Sequence, residues 1–188
     1  MQKKLVEFRW HGRGGQGAWT ASELLARTAI FEGKYIQSFP EFGPERMGAP
    51  VAAFTRISTD PIRIHSSVYE PNVVVVLDPT LLKTVPVTLG LNKENGIVII
   101  NSPQDPVIVS ENLRIDKKQV WTVPATEIAI RILGTPITNT ALLGAVARAT
   151  EIVTMKSIEK TVKEKFRADL AEKNIAVIKQ AFEEAKVG

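Results

Sequence analysis

Apolar residues follow two different periods along this chain of 188 residues, and the two periods alternate from the N-terminal end onward. Leu5–Trp10 is a short β-like run, and Gly17–Glu32 carries apolar residues three and four positions apart, which is typical of an amphipathic helix. Tyr35–Ser38 predicts a second strand. Val73–Leu77 is an unbroken apolar run, typical of a strand that is covered on both faces of a parallel sheet.

The rest of the chain continues this alternation and ends in two amphipathic helices. Val51–Ser58 and Ile62–Ser66 flank a turn-forming Asp60-Pro61 pair and predict a β-hairpin. The other predicted elements are two strands and two helices: Ile97–Ile100, Gln119–Val123, Ala125–Leu133 and Thr140–Ala149. We therefore predict a single domain over residues 1–188, with a three-layer α/β/α fold, a mostly parallel sheet and a β-hairpin near residues 51–66.

Composition excludes several classes of protein. No apolar run approaches the roughly 20 residues that span a bilayer, and no apolar region follows Met1-Gln2-Lys3-Lys4, so we expect a cytoplasmic protein without a secretory signal. The chain has no cysteine, which excludes disulfides, thiol nucleophiles and thiolate ligands for iron–sulfur clusters. With His11 and His65 as the two histidines, a transition-metal site made by this chain alone is not expected.

The net charge of +4 does not indicate nucleic-acid binding. From Glu151 onward eight Lys or Arg residues alternate with seven Asp or Glu residues, which is a mixed, solvated surface and not a basic stripe. The small positive excess would still favour a phosphorylated ligand.

A glycine-rich turn, Gly12–Gly17, lies between the first strand and the first helix. Its amides and the helix N-terminus are suited to phosphate, and Arg13 and Gln16 add donors. The glycine spacing matches a dinucleotide fingerprint, but the carboxylate expected at the end of the second strand is absent, since Glu41 lies beyond Pro40. The turn therefore predicts a phosphate site and disfavours NAD; the alternative is a turn that is glycine-rich only for close packing.

Other polar positions are weaker candidates. The loop Phe39–Pro50 exposes apolar residues and is interpreted as a partner or ligand contact, or else as a loop packed on its own domain. Asp78 and Asn101 each follow a strand and are interpreted as turn formers. Asn139 is expected to cap a helix whose N-terminus can also hold part of a phosphate-rich ligand. No catalytic role is assigned to His11, which has no carboxylate partner visible in the sequence.

Four motifs in order carry a family resemblance: Arg9–Gly17, Phe39–Pro50, Val73–Asp78 and Thr138–Ala145. Together they resemble the gamma subunit of pyruvate:ferredoxin oxidoreductase and of related 2-oxoacid:ferredoxin oxidoreductases. The similarity extends from about residue 5 to the C-terminus.

The resemblance implies a subunit that has no catalytic residues and no metal of its own. The whole enzyme would convert pyruvate and coenzyme A to acetyl-CoA and CO₂ and reduce ferredoxin. Thiamine diphosphate, Mg²⁺ and [4Fe-4S] clusters would lie on partner subunits of alpha, beta and delta type, and no membrane or nucleic acid would take part. Coenzyme A would bind this subunit, near Gly12, Arg13, Gly14, Gly15, Gln16, Gly17, Arg46 and Asn139.

Within that set, Arg13 and Arg46 are expected to offer charge to the phosphates, and the turn amides to donate hydrogen bonds. Asn139 is expected to bond a phosphate or the pantetheine arm. Two alternatives stay open: a purely structural subunit of the same complex, and a nucleotide-binding oxidoreductase that acts alone.

Overall fold

A computed structural model describes residues 5–41 and 47–188. The strands are β1 (Leu5–Arg13), β2 (Tyr35–Pro40), β3 (Pro50–Ser58), β4 (Val73–Val76), β5 (Ile97–Asn101), β6 (Val120–Val123) and β7 (Lys186–Val187). The α-helices are α1 (Ala18–Ile30), α2 (Pro106–Leu113), α3 (Ala125–Leu133), α4 (Asn139–Thr150), α5 (Met155–Lys165) and α6 (Ala168–Glu184). Short 3₁₀ helices occupy Pro79–Lys83 and Lys117–Gln119. None of the described helices is both long enough and apolar enough to cross a bilayer.

The described strands form one mixed sheet in the order β2-β3-β1-β4-β5-β6-β7. β1, β4, β5 and β6 are parallel neighbours. β3 lies antiparallel between β1 and β2, and β7 pairs antiparallel with β6. Five of these seven strands therefore point the same way, which confirms the mostly parallel sheet. The carboxyl ends of β1, β4 and β5 consequently meet at one edge of the sheet.

Helices and loops cover both faces of the sheet, and β4 shows how the layers form. Val73 and Val75 join a core that includes residues of α1, α3, α4, α5 and α6. Val74 and Val76 join a second core with Leu81 and with Val109 of α2. Because successive side chains of a strand point to opposite faces, a strand buried on both sides needs an unbroken apolar run. The predicted three-layer arrangement is confirmed.

The predicted β-hairpin near residues 51–66 is wrong in its second strand. β3 is present, but residues 62–66 form no strand. β3 pairs with β1 along one side and with β2 along the other, so both of its hydrogen-bonding edges are occupied. The segment after β3 packs on the sheet instead, with Val68 against Phe54. The Arg56 guanidinium holds it there by donating to the carbonyl of Ser66 at 2.8 Å.

Element boundaries also differ from the predicted ones. β1 continues from Trp10 to Arg13, and β2 continues from Ser38 to Pro40, because β3 lies beside both of them. The sequence pattern does not predict α2 or the two-residue strand β7. α2 has eight residues, and its Ile108 side chain is exposed, so no clear apolar stripe marks it as a helix.

Polar and charged side chains occupy one face of β1 in place of apolar ones. Glu7, Arg9 and His11 alternate along the strand and therefore point to the same side. Arg56 of β3 pairs with Glu7 at an Nε–Oε1 distance of 2.7 Å, and Arg9 donates from Nη2 to the carbonyl of Val87 at 2.9 Å. A buried guanidinium is costly unless its donors are satisfied. These residues therefore fasten two loops across the sheet.

The packing of α4 against α6 generates a stability prediction. A Cβ added at Gly144 would lie 2.2 Å from the carbonyl oxygen of Ile178. In an open helix alanine is more stable than glycine by about 1 kcal/mol, but here the overlap outweighs that gain. We predict that Gly144→Ala lowers the free energy of unfolding by about 1–3 kcal/mol, measured by chemical denaturation. A more stable variant would contradict the close packing.

Candidate functional site

The glycine turn joins the end of β1 to the start of α1, and its four glycines have different structural roles. A Cβ at Gly12 would lie 3.2 Å from the Cβ of Ala18, so this residue permits close packing. Gly14 exchanges backbone hydrogen bonds with segment 47–49. Gly15 and Gly17 have φ angles of +93° and +81°, which residues other than glycine rarely adopt. The last two therefore set the shape of the turn.

Several backbone amides at the turn are free to bind a ligand. The N–H groups of Gly15 and Gly17 have no acceptor among the described residues, whereas Gln16 donates to the carbonyl of Arg13 at 3.0 Å. Gly17 stands at the N-cap of α1 with no side-chain cap, so the first amides of this helix are open as well. Unpaired amides and a helix N-terminus together form a site suited to an anion.

Asn139 lies directly beside this turn. It is the first residue of α4 and is 9% exposed. A Cβ at Gly17 would lie 2.7 Å from its Nδ2 atom. Its Oδ1 accepts a hydrogen bond from the amide of Thr140 at 2.8 Å, while Nδ2 has no acceptor among residues 5–41 and 47–188. The N-termini of α1 and α4 therefore converge, and an amide donor is available between them.

Asn139 differs slightly from the predicted cap. The helix was expected to begin at Thr140, but it begins one residue earlier, with Thr138 in the cap position and without a side-chain cap bond. Asn139 satisfies the next amide from inside the helix.

Asp78 connects the glycine turn to the end of β4. Its Oδ1 accepts from the amide of Thr80 at 2.9 Å, which is the turn-forming role expected from the sequence. Its Oδ2 accepts from Arg13 Nε at 2.9 Å and from Gln16 Nε2 at 3.0 Å. Partial burial raises the pKa of Asp78, but the hydrogen bonds from Thr80 and Gln16 and the charge of Arg13 outweigh it, so the pKa is lowered. The side chain is ionised at neutral pH.

Arg13 is engaged with the protein through all three of its nitrogen atoms. Besides the Nε bond to Asp78, Nη1 donates to the carbonyl of Gly48 at 3.0 Å and Nη2 donates to Thr80 Oγ1 at 2.9 Å. Its charge is already paired, and two of its five N–H groups remain for other acceptors. The expected contact between Arg13 and a phosphate stays a prediction.

A cavity of about 520 Å³ opens beside these residues. It lies at the carboxyl ends of the parallel strands, where ligands of open α/β sheets bind. Its lining comes from the glycine turn, the segment after β4, the end of β5, the first turn of α3 and the segment before α4: Gly15, Gln16, Leu77, Asp78, Pro79, Thr80, Asn101, Thr126, Pro136, Ile137 and Thr138. The turn's open amides and the cavity therefore form one candidate site.

Asn101 has a different role from the predicted turn former. It is the last residue of β5 and is buried. Its Nδ2 donates to the carbonyl of Leu77 at 2.9 Å, and its Oδ1 accepts from the amide of Thr126 at 3.1 Å. This side chain joins β4, β5 and the start of α3, and so supports one wall of the cavity.

The loop predicted over Phe39–Pro50 lies partly outside the described residues. Arg46, expected near the ligand, is among the residues outside them. The end of the loop reaches the site: the amide of Gly14 donates to the carbonyl of Ala49 at 2.9 Å. Met47 beside it is 95% exposed. This exposed apolar side chain is available to a ligand or to another protein.

The described residues of the site do not include a set of metal ligands. No group of three His, Asp or Glu side chains among the described residues is arranged to hold an ion. His11 is buried just before the turn, and its Nε2 accepts from Arg9 Nε at 3.1 Å. The arrangement favours binding and orientation of an anionic ligand.

The chain is similar in sequence to proteins of one known family. The pyruvate ferredoxin/flavodoxin oxidoreductase family matches residues 7–184. The chain is 55% identical over 183 residues to the "pyruvate/ketoisovalerate oxidoreductases common subunit gamma" of Pyrococcus abyssi, covering 97% of this chain and 98% of that protein. It is 46% identical over 180 residues to "pyruvate synthase subunit PorC" of Methanocaldococcus jannaschii, covering 96% and 97%.

A solved structure supports the fold in detail. The crystal structure of pyruvate oxidoreductase subunit PORC from Thermotoga maritima superposes with a TM-score of 0.88 at 40% sequence identity. The match covers 99% of this chain and 99% of that one.

The environment of His11 predicts how stability depends on pH. Burial, followed by the nearby charge of Arg9, lowers its pKa from 6.5 to about 4. The unfolded chain therefore binds a proton near pH 6.5 that the folded protein does not accept, and stability falls as the pH falls through this window. We predict a loss of about 2 kcal/mol between pH 7 and pH 5, measured by urea denaturation.

A matched pair of variants assigns this effect to His11. His11→Gln keeps a neutral acceptor for Arg9 and should abolish most of the pH dependence in that window. His65→Gln changes an exposed histidine and should leave it intact. Equal pH dependence in wild type and His11→Gln would contradict the assignment.

Proposed function

This chain belongs to the pyruvate ferredoxin/flavodoxin oxidoreductase family as a gamma subunit, and we propose that it binds coenzyme A for the assembled enzyme. That enzyme would oxidatively decarboxylate pyruvate, transfer the acetyl group to the thiol of coenzyme A and pass the electrons to ferredoxin. This subunit would bind and orient one substrate without taking part in bond chemistry.

The convergence of open donors at one edge of the sheet is the observation that carries this proposal. The amides of Gly15 and Gly17, the first turn of α1 and Nδ2 of Asn139 all adjoin the same region. Coenzyme A carries a pyrophosphate and a 3′-phosphate, so it presents several anionic groups to such donors. Fixed dipoles bind phosphate without reorganisation when the ligand arrives.

Anchoring by phosphates also fits a role in positioning. A ligand held at the glycine turn leaves its pantetheine arm free to extend towards an acyl group on another subunit. Orienting two reactants in this way accelerates their reaction by lowering the entropy cost of the encounter. The described site offers no paired general acid and base, and this role requires none.

Partner subunits of alpha, beta and delta type would supply the remaining chemistry. Those subunits would hold thiamine diphosphate and Mg²⁺ for the decarboxylation and [4Fe-4S] clusters for electron transfer to ferredoxin. The absence of cysteine from this chain is consistent with clusters held elsewhere. We also propose that the assembled enzyme acts in the cytoplasm.

Pyruvate is the proposed 2-oxoacid. The relatives in Methanocaldococcus jannaschii and Thermotoga maritima are named for pyruvate enzymes, and the Pyrococcus abyssi relative is named as a subunit common to pyruvate and ketoisovalerate oxidoreductases. A subunit that serves two substrates is consistent with substrate choice by the other subunits.

A second candidate is an assembly subunit with no ligand of its own. Exposed apolar side chains favour it: Met47 is 95% exposed and Trp19, in the first turn of α1, is 42% exposed. Both lie next to the glycine turn, where a partner subunit could cover them. Coenzyme A affinity distinguishes the two functions, because substitutions at the glycine turn of an assembly subunit would leave the affinity of the enzyme for coenzyme A unchanged.

The glycine turn itself provides the first test. Gly15 and Gly33 both have positive φ, and a Cβ at either position meets nothing within 4 Å. Alanine therefore causes similar backbone strain at both, but only Gly15 lines the candidate site. We predict that Gly15→Ala raises the KM for coenzyme A about tenfold or more in steady-state assays of the assembled enzyme, while Gly33→Ala leaves it unchanged.

Equal KM values for the two variants would reject the ligand site at this turn. If both variants lower the thermal midpoint by a similar amount, their backbone strain is matched. A difference in KM between them then reports on the ligand site.

Asn139 provides a second test with an isosteric change. Asn139→Asp keeps the acceptor for the Thr140 amide and adds a negative charge at a helix N-terminus, which favours the fold. The substitution removes the free Nδ2 donor, and the new charge repels phosphate. We predict a KM for coenzyme A at least about tenfold higher with no loss of thermal stability. Unchanged KM would remove Asn139 from the site.

A further inference from the structure

Arg13 and Asp78 tie together three separate segments around the glycine turn. The Nε–Oδ2 ion pair of 2.9 Å links the end of β1 to the end of β4. Nη1 adds the carbonyl of Gly48, and Nη2 adds the hydroxyl of Thr80. A guanidinium with its donors spread over three acceptors in a fixed fork acts as a rigid connector.

Gln16 extends this connection into the turn. Its Oε1 accepts from the backbone amide of Arg13 at 2.8 Å, and its Nε2 donates to Asp78 Oδ2 at 3.0 Å. Asp78 Oδ2 therefore accepts hydrogen bonds from two side chains of the turn, those of Arg13 and Gln16. Gln16 itself stands between Gly15 and Gly17, the two residues with open amides and positive φ. A shift of Asp78 would be transmitted directly to those amides.

Other aspartates show that this arrangement exceeds what a turn needs. Asp105 and Asp116 accept the amide two residues ahead at 2.8 Å and 2.9 Å, as Asp78 does at 2.9 Å. No other hydrogen bond or ion pair is found for either carboxylate within the described residues. The contacts of the second Asp78 oxygen with the glycine turn are therefore not part of its capping role.

The charges of this pair also cancel at the site. The Asp78 and Arg13 side chains are 12% and 30% exposed, so the pair is partly shielded from solvent. Three of the five N–H donors of Arg13 are committed to Asp78, Gly48 and Thr80, so a phosphate that recruited its charge would have to compete with the Asp78 carboxylate. The open amides and Asn139 Nδ2 have no such competitors among the described residues.

We infer that Arg13 and Asp78 form a clasp that holds the glycine turn in its ligand-binding shape, so that both are positioning residues and neither contacts the phosphates of coenzyme A. The inference rests on the proposed function, because it assigns how the same site is preorganised. It replaces a direct phosphate contact by Arg13 with an indirect role.

The sign of the effect of Asp78→Asn separates the two roles. With Oδ1 still accepting from the Thr80 amide, the introduced NH₂ group directs a donor at Arg13 and Gln16 in place of an acceptor. The clasp then opens, and the KM for coenzyme A should rise about tenfold while kcat is retained. Direct contact predicts the reverse, since removing the carboxylate frees the Arg13 charge and lowers KM. The assay uses the assembled oxidoreductase.

Asp116→Asn is the matched control. It makes the same substitution at the same kind of 3₁₀ N-cap at a distant position and should leave the KM for coenzyme A unchanged. A fall in KM, or no change, for Asp78→Asn would overturn the clasp.

A double-mutant cycle adds a reading that general destabilisation would not produce. Arg13→Gln and Asp78→Asn break the same clasp, so the double variant should have a KM no higher than the worse single variant. Effects that multiply would show that the two residues act separately and would contradict the inference.

Arg13→Lys keeps the test decisive if Asp78→Asn does not assemble. Lysine retains the charge, but its three donors share one nitrogen and cannot reproduce the reach of the guanidinium fork. The clasp therefore predicts a raised KM, and direct charge contact predicts a value near wild type. Gly15→Ala distinguishes failure of the proposed coenzyme A site from failure of the clasp. If it leaves KM unchanged, the proposed function fails; if it raises KM while Asp78→Asn does not, only the clasp fails.

Discussion

The close approach of Gly17 to Asn139 is the contact on which the rest of the site depends. It brings the starts of α1 and α4 together, although the two residues are far apart in the sequence. A side chain at Gly17 would be strained, because the backbone is left-handed and a Cβ there would lie 2.7 Å from the Asn139 amide nitrogen. Two helix N-termini that lie this close together can act on one anionic ligand, because the effect of a helix dipole falls off within the first turn.

The electrostatics of the site come from fixed dipoles more than from free charges. Arg13 is paired with Asp78, and burial with the charge of Arg9 keeps His11 neutral at physiological pH. What remains for an anion is a set of oriented amides held by packing and by the sheet. A preorganised arrangement of this kind suits a subunit that presents a substrate to chemistry carried out elsewhere.

Local pattern predicts much of this fold, and long-range pairing explains the failures. The Val73–Val76 run and the glycine turn carry their structural meaning in adjacent residues. The predicted strand at residues 62–66 required a free edge on β3. Both edges are occupied by β1 and β2, which come from distant parts of the sequence. Asp78 likewise resembles a simple turn former before proline, because nothing near it in sequence indicates that Arg13 and Gln16 fold against its second oxygen.

The most direct measurement is a structure of the assembled oxidoreductase with coenzyme A bound. We expect a phosphate group within hydrogen-bonding distance of the Gly15 and Gly17 amides and of Asn139 Nδ2, with the Arg13–Asp78 pair intact. Coenzyme A phosphates bound away from the glycine turn would contradict the central claim. Arg13 released from Asp78 and bonded to a phosphate would retain the site but contradict its preorganisation by the clasp.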